Sequence, residues 1–228
     1  MTYCVGMVLD AGMVFLADSR TNAGVDQVST FRKVKVFEKP GERVIVLLSA
    51  GNLALTQGAT SILAERMAAQ EGESLNLSTC PNMFEAVRLV GEALREMHAR
   101  DYDALKSQGV DFNPSFIVGG QIKGEAPRLF HVYAAGNFIE ATPDTPYFQI
   151  GESKYGKPII DRVTRRSMPL SEAAKCALIS MDSTIRSNLS VGPPLDLVIV
   201  RRDEWRVACH VDIDGENRYF QMIRNGWG

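Results

Sequence analysis

Two rhythms of apolar and polar residues divide this chain. Residues 2–9 read as a strand, Asp10-Ala11-Gly12 as a turn, and 13–17 as a second strand, so the opening predicts a hairpin. A polar loop follows from Asp18 to Gly24. Lys33-Val34-Lys35-Val36-Phe37 alternates with period two, and a turn at 39–42 leads into the apolar strand 43–49, which stops at Ala50-Gly51. From 53 to 69 the rhythm becomes helical, with Leu55, Ile62, Leu63 and Met67 on one face. After a polar linker, Pro81 marks the entry to a second amphipathic helix carrying Met83, Phe84, Val87, Val90, Leu94 and Met97. Strands are then expected at 115–122, 128–135 and 147–150, helices at 153–165 and 171–187, and strands at 195–201, 205–211 and 218–223.

The order is strands, two helices, strands, two helices, strands. Strand and helix do not alternate singly as in a doubly wound parallel sheet. Two strand blocks and two helix pairs predict an α+β fold, a four-layer αββα sandwich of two mainly antiparallel sheets. The 228 residues fit one domain, 1–228.

Composition narrows the function only by exclusion. Apolar residues make up 45% and charged residues 23%, with a net charge of −2. That balance argues against nucleic-acid and anionic-membrane partners, which favour basic surfaces. The longest apolar run, Val44-Ile45-Val46-Leu47-Leu48, has strand length and falls far short of the roughly 20 residues that span a bilayer. Cys4, Cys80, Cys176 and Cys209 are widely scattered, as are His98, His131 and His210, so no metal or other cofactor is implied. The opening residues lack the charged and apolar regions of a secretory signal, and a cytoplasmic location is expected.

The candidate chemistry lies at the start. Thr2 is small enough for Met1 to be removed, which would leave a hydroxyl and a free α-amine on one residue. An α-amine has an ordinary pKa of about 7.7–8.0, so such a threonine carries its own general base. It would still need a cation, a carboxylate to hold that cation, and an N–H for the oxyanion. The hairpin brings Asp18 towards Thr2, Lys33 opens the next strand, and Gly51 closes the apolar strand, where bare backbone can approach a substrate. Lys35 lies two positions from Lys33, so alternation alone does not separate the two lysines.

Thr2, Ala17-Asp18-Ser19-Arg20, Lys33-Val34 and Ser49-Ala50-Gly51 together resemble peptidases of the proteasome β-subunit and HslV type. Phe116-Ile117-Val118-Gly119-Gly120, Ile150-Gly151-Glu152-Ser153 and Leu195-Asp196-Leu197-Val198-Ile199 extend the likeness in order over nearly the whole chain. Two stretches, 20–26 and 151–156, are similar to the bacterial Anbu branch, the ancestral β-subunit proteins. The resemblance implies Thr2 as nucleophile, Lys33 as the residue that depresses its pKa, Asp18 as the partner of Lys33, and the Gly51 N–H as oxyanion donor. It also implies a homo-oligomer, as a ring or helical turn, acting on peptides or unfolded proteins.

There are departures from the family pattern. Its Gly-Ser-Gly turn reads Gly151-Glu152-Ser153 here, so either Glu152 replaces the serine or Ser153 serves one residue later. The aspartate expected after the last helix appears as Asn188, with Ser190 nearby, and the substrate-backbone position falls on Asn22 rather than a hydroxyl residue. Besides a threonine-type peptidase, the sequence leaves open an amidase for a small amide and a catalytically weak scaffold subunit. The intact trio Thr2, Asp18 and Lys33 favours an enzyme.

Overall fold

A computed structural model describes residues 1–22, 28–69 and 75–227. In chain order the elements are β1 (Tyr3–Leu9), β2 (Gly12–Asp18), β3 (Arg20–Asn22), β4 (Val28–Thr30), β5 (Val34–Lys39), β6 (Arg43–Ala50), α1 (Leu53–Ala68) and α2 (Met83–Ser107). They continue with β7 (Ser115–Ile122), β8 (Arg128–Val132), β9 (Phe138–Glu140), β10 (Tyr147–Gly151), α3 (Lys157–Val163), α4 (Leu170–Ser187), β11 (Leu195–Arg201), β12 (Val207–Ile213) and α5 (Arg218–Trp227). One five-stranded sheet runs β10-β1-β2-β11-β12 and the other β5-β6-β7-β8-β9, with every pairing antiparallel.

The near-continuous apolar runs of β1, β2 and β6 follow from burial on both faces. Tyr3, Val5, Met7 and Leu9 pack with Ala173, Ala177 and Met181 of α4. The alternate residues Cys4 and Val8 face Val44, Val46, Leu48 and Ile117 of the other sheet. Ile45, Leu47, Phe116 and Val118 turn outward against Leu55, Leu63, Val87, Val90 and Leu94 of α1 and α2. The period-two alternation of strands thus feeds three separate cores, one between the sheets and one under each helical layer. The expected αββα sandwich is observed.

Helix starts follow local chemistry. The Asn52 side chain accepts from the Ala54 N–H at 3.0 Å, and Asn82 accepts from the Glu85 N–H at 2.9 Å. Each satisfies an otherwise orphaned amide in the first turn. No helix among the described residues is long and apolar enough to cross a membrane. Cys4, Cys80 and Cys176 are buried free thiols, and burial pushes all three above the ordinary thiol pKa.

Several elements differ from the sequence reading. Residues 218–223 belong to helix α5 and not to a strand. Phe220 is fully buried and Ile223 packs beside it, while Tyr219 and Met222 are exposed, which is helical spacing. The Asn217 side chain caps that helix by accepting from the Phe220 N–H at 3.0 Å. The helix expected at 153–165 is confined to Lys157–Val163, because the Glu152 carboxylate holds the Lys154 N–H at 3.0 Å in a tight turn. The expected strand 128–135 ends at Val132, where a turn closed by the Gly136 N–H on the Tyr133 carbonyl leads to the unanticipated β9. The polar loop after Asp18 contributes the short β3–β4 ladder, whose connection at 23–27 lies outside the described residues.

Truncating Phe220 tests the helical docking of α5. Phe220→Ala should lower unfolding stability in urea by about 3–5 kcal/mol, the usual loss for a fully buried phenylalanine; an unchanged midpoint would contradict the packing described.

Candidate active site

Thr2 lies immediately before β1, at the end of the sheet where β1 runs between β2 and β10. It is 8% exposed. Two backbone contacts hold its surroundings. Tyr3 stands opposite Gly151 across the β1–β10 ladder, and the Glu152 N–H donates to the Thr2 carbonyl at 2.7 Å. Gly151 has φ +90°, and a Cβ there would stand 2.0 Å from the Thr2 carbonyl oxygen, so only glycine allows this approach.

The hairpin β1–β2 carries Asp18 to the same end. Asp18 is fully buried, and its Oδ1 accepts from the Tyr3 N–H at 2.9 Å and from the Lys33 Nζ at 2.7 Å. Lys33 Nζ also donates to the Arg20 carbonyl at 2.7 Å. Burial pushes the Asp18 carboxyl up from its ordinary value, and the Lys33 charge, with both donated hydrogen bonds, pulls it back. Both donors on Oδ1 require an acceptor there, which the carboxylate supplies.

The two lysines differ in position. Lys33 precedes β5 and is therefore free of its pleat, turning inward with 6% exposure. Lys35 lies on that strand, at the sheet's edge, and is exposed. Two anchors fix the Lys33 segment. Its carbonyl accepts from the Ser49 N–H at 3.0 Å, and the neighbouring Arg32 reaches Asp196 of β11 at 2.7 Å and also pairs with Asp212 of β12. His210 completes that cluster at 3.1 Å from Asp196.

Gly51 follows β6 on the far rim. Its φ is +98°, and a Cβ would meet the Asn113 carbonyl oxygen at 2.1 Å. Asn113 braces the turn by accepting from the Asn52 N–H at 3.0 Å. The positive end of α1 begins one residue later. Between these rims lies a cleft of about 810 Å³ lined by Thr2, Thr21, Lys33, Gly51, Asn52 and Gly151 among others.

The departures fall into a second cluster beside Thr2. Asn188 caps the C-terminus of α4 and donates its amide to Glu152 Oε2 at 2.9 Å, while its own Oδ1 accepts from the Ser190 N–H at 3.0 Å. The Lys154 N–H on Glu152 Oε1, together with Asn188, holds that carboxyl below the usual carboxylate range. Glu152 is buried and Ser153 exposed, so Glu152 is the residue joined to Asn188. Asn22 ends β3 opposite Val28, and its side chain lies outside the described residues. Sequence reasoning missed Thr21, Asn113 and Arg32. Thr21 sits beside the arginine turn, which was a usable signal, but Asn113 and Arg32 act through partners 61 or more positions away.

A threonine at the head of a strand, with a buried Lys–Asp pair and a glycine rim on an αββα sandwich, places the molecule in the N-terminal-nucleophile hydrolase fold class. The family model described as "Proteasome subunit" matches residues 2–200, and the chain belongs to that family, in its Anbu branch. The chain is 57% identical to Anbu (ancestral beta-subunit) from Yersinia bercovieri, covering 99% of this chain and 92% of that one with a TM-score of 0.92. It is 53% identical to an Anbu (Gly-1) mutant from Hyphomicrobium sp. strain MC1, over 100% and 93% of the two chains with a TM-score of 0.92. A structure titled as the helical assembly of the Anbu complex from Pseudomonas aeruginosa is 49% identical, over 99% and 92%, with a TM-score of 0.91. No curated protein sequence matches the chain.

Substituting the two lysines separates them by stability alone. Lys33→Met should destabilise the fold by about 3–5 kcal/mol, because it strands a buried carboxylate. Lys35→Met should stay within about 0.5 kcal/mol, as an exposed substitution does. Denaturant unfolding of both variants reads the difference.

Proposed function

We propose that this protein is a threonine-type peptidase whose nucleophile is Thr2 after removal of Met1. The observation that carries the reading is the shared oxygen of Asp18. It binds the Lys33 ammonium and the first N–H of β1, coupling the cation directly to the strand that begins at Thr2.

The steps follow from that arrangement. The freed Thr2 amine accepts the proton of Oγ1 as Oγ1 attacks the substrate carbonyl. The resulting oxyanion takes the Gly51 N–H, aided by the positive end of α1. The protonated amine then gives its proton to the departing amide nitrogen, the C–N bond breaks, and an acyl ester remains on Thr2. Water, deprotonated by the same amine, hydrolyses the ester and restores Oγ1. Lys33 favours the alkoxide and the neutral amine by its charge. Glu152 and Asn188 act as positioning residues, through the Glu152 N–H on the Thr2 carbonyl. An extended substrate backbone would lie between β3, at Thr21 and Asn22, and the Gly51 rim, in the manner of an added strand.

Relatives that carry the Anbu name include one solved as a helical assembly, and a homo-oligomer of this kind is the proposed working form. Its substrates would be peptides or unfolded chains, and its site of action the cytoplasm.

Intact mass after treatment with a peptide epoxyketone tests the nucleophile, since that reagent closes its ring only on a hydroxyl and an α-amine of one residue. The expected result is loss of Met1 and one adduct per chain, with Thr2→Ala giving none and no hydrolysis. Retained Met1 without adduct would overturn the reading.

The pH profile is a separate expectation. The α-amine at Met1 is held below its ordinary 8.0 by burial and by the Lys33 charge. Removal of Met1 moves the amine to Thr2, which lines the same cleft as Lys33. Its neutral form is the catalytic one, so activity should rise with pH and level off below about 8. Lys33→Met should shift that rising limb to higher pH and lower the plateau.

A further inference from the structure

Beyond the cleft just described, the Gly51–Gly151 rim has a second side. A separate cavity of about 450 Å³ shares Ala50, Gly51, Asn113 and Gly151 with the main cleft and continues past them to Ser115, His131, Gln149, Ser153 and Lys157. Its wall is organised. Ser115 Oγ and His131 Nε2 are hydrogen-bonded at 2.8 Å, and the His131 ring packs against Tyr133 and Phe148 with centroids 4.4 and 5.7 Å away. Gln149 is tied back by its amide to the carbonyls of Ile150 and Glu152 at 2.8 and 2.9 Å. None of these groups has a part in the attack of Thr2.

A substrate carbonyl placed at Gly51 must send its two halves in different directions. The larger cleft adjoins β3, whose backbone can pair with an extended acyl half. The smaller cavity lies across the Gly51–Gly151 rim. Resting on the nucleophile assignment above, we propose that this cavity is the subsite for the residue on the leaving-amine side. The chemistry of its lining then sets a preference. Lys157 supplies the only full charge among its lining residues, Asn113, Ser115 and Ser153 supply donors, and no lining residue is acidic. Lys157 is partly exposed and pairs with both Asp161 oxygens at 2.8 and 2.9 Å, which holds its Nζ in place and offsets part of its charge. A leaving residue with a carboxylate or other accepting side chain fits this wall, and one with a lysine or arginine side chain is disfavoured.

The test uses the full-length oligomer and internally quenched peptides with one fixed acyl half, varied only at the first leaving residue. Glutamate should be cleaved with a several-fold higher kcat/KM than lysine at that position. Lys157→Glu, at a partly exposed helix position, should reverse this order. His131→Gln and Ser115→Ala should change the ranking of leaving residues. All three variants should keep the rate of epoxyketone labelling, because that reagent occupies only the acyl side. Labelling in the parent protein reports on the nucleophile independently, so loss of labelling there overturns the reading of Thr2 and not this assignment. If Lys157→Glu leaves the ranking untouched while labelling persists, the subsite is overturned. A slowed labelling with unchanged ranking would place the cavity on the acyl side and overturn it as well.

Discussion

The structure around the candidate site depends on one buried ion pair. Asp18 has no exposure and Lys33 very little, so each charge is kept in the interior by the other and by the hydrogen bonds made to Asp18 Oδ1 and from Lys33 Nζ. A pair of this kind has little tolerance for displacement. Its geometry is therefore fixed from several directions: the β1 N–H of Tyr3 on Asp18, the Arg20 carbonyl on Lys33, and the tie between the Lys33 carbonyl and Ser49. The last contact also joins the cation to β6, the strand that leads into Gly51. The cationic and glycine sides of the cleft are thus parts of one backbone-bonded unit.

Around that unit the fold supplies rigidity where loops would not. Thr2 sits at the head of a strand with neighbours on both sides, and β1 buries one face under α4 and the other against the opposite sheet. The segment that carries Lys33 has no regular structure of its own, and Arg32 fastens it to β11 and β12 through Asp196 and Asp212. That cluster is a surface-to-core clamp: Asp196 is 4% exposed at its side chain and Arg32 42%. The charge pair at the centre is held in place partly by a second charge pair further out.

The departures from the family pattern form one connected cluster and not a scatter. Glu152 and Asn188 are joined to each other, and Glu152 is joined through its N–H to Thr2. A neutral amide stands where a carboxylate was expected, and a carboxylate stands where a hydroxyl was expected. The local count of acidic groups is therefore preserved, with the charge moved across the hydrogen bond to the β10 side.

Much of the architecture was legible in the residue pattern, because period-two and helical spacing are local properties. Burial on both faces made β1, β2 and β6 read as apolar runs, and Pro81 before an amphipathic stretch announced α2. The error at 218–223 arose where Tyr219, Phe220, Met222 and Ile223 crowd together; apolar content looked strand-like, and only docking against α4 reveals which two are inside. The site divides in the same way. Thr2, Asp18, Lys33 and Gly51 could be proposed from order and spacing, since hairpin geometry brings neighbouring strand ends together. The contact of Asp18 with Lys33 and not Lys35, the pairing of Glu152 with Asn188, and the bracing of Gly51 by Asn113 were decided by tertiary structure alone. Each depends on contacts between residues far apart in the chain or on where a strand's pleat begins, and neither quantity is written in local sequence.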